Sequence, residues 1–112
     1  MSTFLSKLKI KPAFKLWFVT NGEYVFGEGT CKLLESIEEE KTITGAAKAL
    51  GMSYRYAWGL VKNVEKHLGT PIVKAQKGGK KGGKTELTTT GLSLIKNYNR
   101  LKETMNEICE LE

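Results

Sequence analysis

The 112-residue sequence has no aspartate, one histidine, two cysteines and two prolines. Cys31 and Cys109 are far apart, and His67 lies at no metal-ligand spacing from either, so we expect neither a metal site nor a cofactor. The thiols are expected to stay reduced, as in the cytoplasm.

Long hydrophobic runs are also missing. The N-terminal stretch MSTFLSKLKIK has no apolar segment long enough for a signal peptide, and nothing later in the chain could span a bilayer. We therefore expect no membrane partner and a cytoplasmic location. The length suits one domain over residues 1–112.

Acidic residues are scarce in residues 41–84, which hold ten lysines or arginines and one glutamate, a net charge of +9. Residues 1–40 and 85–112 carry net charges of −1 and −2. A patch of this kind attracts phosphate backbones and releases their condensed counterions. The alternative is a basic surface that only aids solubility.

Residues 42–69 predict two helices joined by a short turn. Thr44 is expected to cap the first helix, Gly51 to end it with a positive φ, and Ser53 to cap the second. An apolar stripe on the second helix would pack on the first, formed by Ala57, Leu60, Val61, Val64 and Leu68. This is a helix-turn-helix pattern, in which the second helix enters a major groove. An ordinary helical hairpin is the alternative.

The N-terminal third predicts a β-hairpin over residues 9–26, preceded by a loose lead-in. Asn21-Gly22 suits a tight turn with positive φ angles. The aromatic residues Phe14, Trp17 and Phe18 could stack on bases, but we favour burial in a core. A helix is expected from Thr30 or Glu28 to about Glu40, and then Ile43 in a short buried strand.

Residues 70–88 predict a wing, that is, two strands around the glycine-lysine loop of residues 77–84. Residues 78–85, GGKKGGKT, also match the nucleotide-binding P-loop pattern G-x-x-x-x-G-K-[ST]. A P-loop follows a buried strand, opens a helix and needs a downstream acid for Mg²⁺. With no aspartate and no room for a parallel sheet, we interpret the match as accidental.

Residues 89–112 predict one long helix. Its apolar residues repeat with the spacing of a coiled-coil seam. The first half is expected to pack on the chain's own core and the second on a partner helix, most simply that of a second copy. The seam residues proposed for dimerisation are Leu94, Tyr98, Leu101, Met105 and Ile108.

The helix-turn-helix, the wing and the start of the last helix together resemble the N-terminal DNA-binding domain of ModE-type molybdate-responsive transcriptional regulators. The resemblance spans about residues 10–100 and is carried by Ala46-Ala47, residues 51–55, Ala57-Trp58, the double-glycine wing and Leu87-Thr88 with Gly91. LysR-type regulators share a looser version. The resemblance implies a homodimer held by the last helix, with recognition helices in major grooves. Full-length ModE-type members add C-terminal domains that bind molybdate or tungstate, and this chain ends where those would start. The resemblance therefore does not support oxyanion sensing here. Three alternatives stay open: the protein regulates without a built-in sensor, it senses in another way, or the sequence is part of a longer chain.

The sequence thus predicts a mainly α protein with a small β component, a winged helix-turn-helix with an N-terminal hairpin and a long C-terminal dimerisation helix. We expect a non-enzymatic transcriptional regulator that binds double-stranded DNA as a homodimer at the nucleoid. A non-specific chromatin-type protein and a protein-interaction adaptor are the alternatives. Arg55 is placed to pair with guanine, and Trp58 is expected in the core. The predicted DNA contacts are Thr42, Thr44, Lys48, Ser53, Tyr54, Arg55, Tyr56, Gly59, Lys62, Lys77, Lys80, Lys81 and Lys84.

Overall fold

The computed structural model describes residues 4–76 and 84–111. Its elements, in chain order, are α1 (Phe4–Lys7), β1 (Trp17–Thr20), β2 (Glu23–Gly27), α2 (Glu28–Glu40), α3 (Ile43–Ala49), α4 (Tyr54–Leu68), β3 (Val73–Gln76), β4 (Lys84–Leu87) and α5 (Thr89–Leu111). Strands β1 and β2 pair antiparallel, as do β3 and β4. This is the predicted winged helix-turn-helix with an N-terminal hairpin and a long last helix. No helix within the described ranges is long and apolar enough to cross a membrane.

The N-terminal hairpin is shorter than predicted. Asn21 and Gly22 both have positive φ, as expected for the tight turn. Pairing begins only at Trp17, opposite Gly27, rather than at residue 9. The reason is that Gly27 caps α2, so the chain turns into a helix and leaves residues 9–16 without a partner strand. Residues 4–7, expected as part of a loose lead-in, form the helical turn α1.

The core lies around α2. Leu33, Leu34 and Ile37 are fully buried. The aromatic rings of Phe18 and Phe26 stack 5.6 Å apart, which confirms the core interpretation for Phe18. Trp17 contradicts it, because alternation along β1 turns its ring outward and leaves it 51% exposed.

The first helix of the helix-turn-helix starts earlier than predicted. Thr42, not Thr44, is the N-cap, and its Oγ1 accepts a hydrogen bond from the Gly45 N–H at 2.9 Å. Ile43 is buried as expected, but in the first turn of α3 rather than in a strand. An extended Thr42 with a capping hydroxyl satisfies a free N–H of the helix start, which favours the helix over an isolated strand.

Cys31 and His67 both contact other parts of the fold. Burial, with the nearby charge of Glu35, raises the pKa of the Cys31 thiol to about 11, so Cys31 stays protonated at neutral pH. His67 joins α4 to the hairpin: its Nδ1 lies 2.9 Å from the Asn63 carbonyl and its Nε2 lies 3.3 Å from a Glu23 carboxylate oxygen. No group of three or more metal-ligating side chains occurs among the described residues.

The last helix has two different halves. Leu94 and Ile95 pack against the core, and Tyr98 is buried, with its hydroxyl donating to the Leu16 carbonyl at 2.8 Å. Tyr98 therefore serves this chain's own core, and its predicted place on the dimerisation surface is wrong. Beyond Tyr98, α5 continues for about 20 Å at 1.5 Å per residue. Leu101 and Ile108 are exposed there.

Candidate nucleic-acid interface

Helix α4 presents one face to the core and another to solvent. Ala57, Val61 and Val64 are fully buried, and Leu60 is half-buried against them. Leu68, predicted to continue this stripe, is partly exposed because the helix ends there at Gly69 in the left-handed conformation. The solvent-facing side is polar, basic and aromatic, and nothing in the described chain covers it.

The start of α4 is formed as predicted. Gly51 has a φ of +70°, which ends α3 and redirects the chain. The Ser53 Oγ accepts a hydrogen bond from the Tyr56 N–H at 3.0 Å, so its oxygen is committed to the cap. Tyr54, Arg55 and Tyr56 are then exposed side by side in the first turn, the part of a recognition helix that reaches base edges.

Trp58 lies on the exposed face, and its predicted place in the core is wrong. It is 39% exposed, one position after the fully buried Ala57. Consecutive helical residues point about 100° apart, so the small Ala57 takes the contact with α3 and Trp58 turns to the side of the helix. The i, i+4 spacing of Tyr54, Trp58 and Lys62 could have revealed this, since such residues share one face.

These three side chains form what we call the α4 ladder, defined as Tyr54, Trp58 and Lys62. The rings of Tyr54 and Trp58 are nearly parallel, with an interplanar angle of 7° and centroids 6.4 Å apart. The Lys62 ammonium lies 4.3 Å from the Trp58 ring centroid, a cation–π contact. The ladder runs along α4 from its first turn towards the wing.

Glu65 connects the ladder to the wing, and sequence reasoning missed this role. Its Oε1 accepts from Lys62 Nζ at 3.0 Å, and its Oε2 accepts from the backbone N–H groups of Ile72 at 2.8 Å and Val73 at 3.4 Å. Partial burial raises the pKa of this carboxyl, but these three hydrogen bonds more than offset it and hold the pKa below its ordinary value of 4.5. An ionised Glu65 therefore fixes α4 against β3. It is the single acid of residues 41–84.

The remaining predicted contacts are spread over α3 and the wing. Thr44 and Lys48 are exposed on α3, while Thr42 holds the cap. Gly59 and Lys62 are exposed on α4. Lys84 is exposed at the start of β4, and Lys77, Lys80 and Lys81 lie outside the described residues.

The base of the wing is well ordered by hydrogen bonds. The Thr85 N–H donates to the Lys41 carbonyl at 2.7 Å, which attaches β4 to the end of α2. Lys84 and Thr85, the last two residues of the P-loop pattern, belong to β4. A P-loop lysine and hydroxyl would open a helix, so the strand agrees with an accidental match.

The sequence comparison decides the family. Residues 30–92 match the profile of the bacterial regulatory helix-turn-helix proteins of the lysR family. The chain belongs to this family. The matched region extends from Thr30 in α2 to Leu92 in α5, and so includes α3, α4 and the whole wing.

Individual relatives confirm the resemblance to ModE-type regulators. Over 76 residues the chain is 37% identical to the molybdenum-pterin-binding protein MopA of Rhodobacter capsulatus, covering 68% of this chain and 29% of MopA. It is 34% identical over 88 residues to the molybdenum transport protein ModE of Azotobacter vinelandii, covering 69% and 33% of the two proteins. The chain thus spans about a third of the length of these relatives.

The fold is shared with solved structures. The MepR–DNA complex of S. aureus superposes with a TM-score of 0.55 at 15% identity, covering 94% of this chain and 66% of MepR. At this identity the likeness concerns the fold. The lysR-family helix-turn-helix of this chain therefore combines a second helix, α4, with an exposed first turn, the α4 ladder along its side, and a wing that Glu65 fixes to it.

Proposed function

We propose that this protein is a sequence-specific transcriptional regulator that binds double-stranded DNA as a homodimer, with α4 in the major groove. The observation that carries this proposal is the uncovered first turn of α4. Tyr54 and Tyr56 are 52% and 59% exposed, beside an exposed Arg55, at the start of a helix whose opposite face is locked into the core. A folded chain that leaves such side chains outside has a surface suited to another molecule.

The chemistry of this surface fits duplex DNA. Arg55 has the paired donors that match guanine O6 and N7, and the tyrosine hydroxyls can donate to phosphate oxygens. Thr44 and Lys48 on α3 would contact the backbone on one side of the groove. Lys84 and the lysines of the wing loop would contact it on the other side.

A second copy would pair through the distal half of α5. Leu101 and Ile108 are exposed there and Met105 is half-buried, at seam spacing. Leu94 and Tyr98 are left out of this surface because they pack on their own core. A two-fold axis through α5 would present two α4 helices to successive major grooves, about 34 Å apart. We propose that the protein has no catalytic role. We also propose that it is located in the cytoplasm at the nucleoid, where the DNA target lies.

The test is in vitro selection. The full chain is immobilised and presented with a library of random 25-base-pair duplexes at raised salt with unlabelled competitor, over several rounds of sequencing. We expect enrichment of a two-fold symmetric consensus. Binding without enrichment would instead favour the chromatin-type alternative. Failure to retain duplex DNA at low salt would leave the adaptor alternative and overturn the proposal.

A further inference from the structure

Trp58 is an exposed aromatic side chain on α4 to which the proposed function assigns no contact. A large indole ring left 39% exposed forgoes the favourable burial of its apolar face. It lies between basic side chains that can bind phosphate, but it offers only one N–H donor and a wide apolar surface. Its chemistry suits an apolar group on the bound molecule rather than a phosphate.

The ladder holds this ring in one orientation before any ligand arrives. The Tyr54 ring is stacked nearly parallel to it, and the Lys62 ammonium lies 4.3 Å from the ring centroid. A ring whose side-chain torsion angles are already restricted loses little conformational entropy when it makes a contact.

Lys62 is itself held in place. Its Nζ lies 3.0 Å from Glu65 Oε1, and the other oxygen of Glu65 accepts from the backbone N–H groups of Ile72, just before β3, and of Val73, the first residue of β3. The carboxylate of Glu65 thus offsets part of the positive charge of Lys62, which makes Lys62 a weaker contact for phosphate. Lys62 and Glu65 act as positioning residues, and the chain Trp58–Lys62–Glu65 is anchored at the wing.

We infer, on the basis of the proposed function above, that Trp58 is a specificity-determining residue that contacts the C5-methyl group of thymine in the major groove. That methyl group is the apolar feature that distinguishes a T·A pair there. Arg55 and Trp58 would then divide base recognition between a guanine and a thymine, one by hydrogen bonds and one by apolar contact.

The experiment removes the methyl group and the ring separately. Selection from random duplexes by the wild-type chain supplies the consensus, and each thymine of that duplex is then replaced singly by deoxyuridine. For wild type we expect one replacement per half-site to raise Kd about fourfold, since burial of one methyl group is worth about 0.8 kcal/mol. Trp58→Ala should bind the thymine duplex more weakly and no longer distinguish it from the deoxyuridine duplex.

Two further variants keep the result interpretable. Trp58→Phe retains an aromatic face and should keep part of the discrimination, which covers the case in which the alanine variant fails to fold. Trp17→Ala removes the other tryptophan, also exposed but on the hairpin, and should leave discrimination unchanged.

The outcomes separate this inference from the function on which it rests. Equal weakening on both duplexes by Trp58→Ala and Trp58→Phe would make Trp58 a backbone contact and overturn the inference alone. A wild-type consensus without a methyl-sensitive thymine would do the same. Failure of the wild-type chain to enrich any sequence would overturn the proposed function and the inference together.

Discussion

Arg55 and Lys66 lie at opposite ends of α4, and this difference predicts different roles for them in DNA binding. Both are exposed and basic on the outward side of α4, but Arg55 is in the first turn and Lys66 in the last. The three turns between them correspond to about 16 Å of helix rise. The N-terminal part of such a helix comes close to base edges, and its last turn does not.

Arg55→Ala should therefore weaken binding to the selected duplex by about 1–3 kcal/mol, with little effect on a scrambled duplex, because a bidentate bond to guanine is lost. Lys66→Ala is the matched control and should weaken both duplexes slightly and alike. Binding isotherms on the two duplexes measure this. Equal losses for Arg55→Ala would demote Arg55 to a phosphate contact.

Gly91 and Gly59, both in helices, differ in the space available for a side chain. A Cβ on Gly91 would clash with the backbone carbonyl oxygen of Ile72, where the start of α5 packs against the residue that precedes β3. A Cβ on Gly59 would meet nothing within 4 Å. Of these two glycines, Gly91 must lack a side chain for the packing to be kept, and Gly59 need not.

We expect Gly91→Ala to lower the free energy of unfolding by about 1–3 kcal/mol, as overpacking does. Gly59→Ala should raise it by about 0.5–1 kcal/mol, because alanine has less backbone entropy to lose in a helix. Urea denaturation measures both. A stable Gly91→Ala variant would mean that α5 can shift away from Ile72.

At the scale of elements, Glu65 couples α4 to β3. Its carboxylate accepts from the Ile72 and Val73 N–H groups and from Lys62, and its side chain is only 13% exposed. The pKa of this group is lowered in the folded protein. Its contribution to stability is therefore complete above the unfolded pKa, near 4.5, and is lost as the pH falls through the lower folded value.

Glu65→Gln should lower the free energy of unfolding at pH 7 by about 1–3 kcal/mol, since hydrogen bonds to a charged acceptor are lost. The difference from wild type should shrink as the pH falls from 6 to 3. Denaturation at a series of pH values checks this, with Glu39→Gln, at an exposed helix end, as control. A difference independent of pH would show that the ionised form is not what matters.

The two halves of α5 give the second prediction at this scale. Leu101 and Ile108 are exposed on the distal half, and Leu92 is equally exposed on the outer side of the proximal half. Leu101→Lys combined with Ile108→Lys should shift a dimer to monomers and weaken binding to the symmetric duplex, because the new charges would be buried in the seam. Leu92→Lys should leave the dimer intact. Sedimentation equilibrium distinguishes them, and an unchanged mass for the double variant would place the dimer contact elsewhere.

At the scale of the whole molecule, charge is divided between regions. The helix-turn-helix and wing, residues 41–84, hold a net charge of +9, whereas α2 ends in three consecutive glutamates and the distal half of α5 is acidic. The molecule measures 61 × 30 × 22 Å, with the acidic end of α5 extending from the core. Under the proposed function, such an arrangement would orient the basic side towards DNA during approach.

The dependence of DNA binding on salt tests this charge distribution. The logarithm of the association constant should fall linearly with the logarithm of salt concentration, with a slope of about −0.9 per neutralised phosphate. Replacing Lys80 and Lys81 by alanine should weaken specific and scrambled duplexes alike and flatten the slope by about two units. A slope near zero for wild type would contradict the proposal that the basic side chains of residues 41–84 bind DNA phosphates. A loss confined to the specific duplex would mean that the wing reads sequence through minor-groove width.

Local chemistry in the sequence by itself determined several features of this protein. The Ser53 cap, the positive φ of Gly51, the Asn21-Gly22 turn and the order of helices and wing strands were all predictable. Each depends on residues only a few positions apart, whose conformational preferences act whatever the distant packing. The family resemblance followed from the same short motifs.

Only the tertiary structure decided which of these residues remain available for binding. Trp58 is exposed because the small Ala57 takes the place next to α3. Tyr98 is buried because Leu16, Phe18 and Cys31, which lie 67–82 positions earlier in the chain, pack around it. The link from Glu65 to β3 is of the same kind, because its carboxylate reaches the backbone N–H groups of Ile72 and Val73 only after the wing has folded back on α4. Such outcomes depend on contacts between separate elements, and helical spacing alone does not specify which neighbour fills a given space.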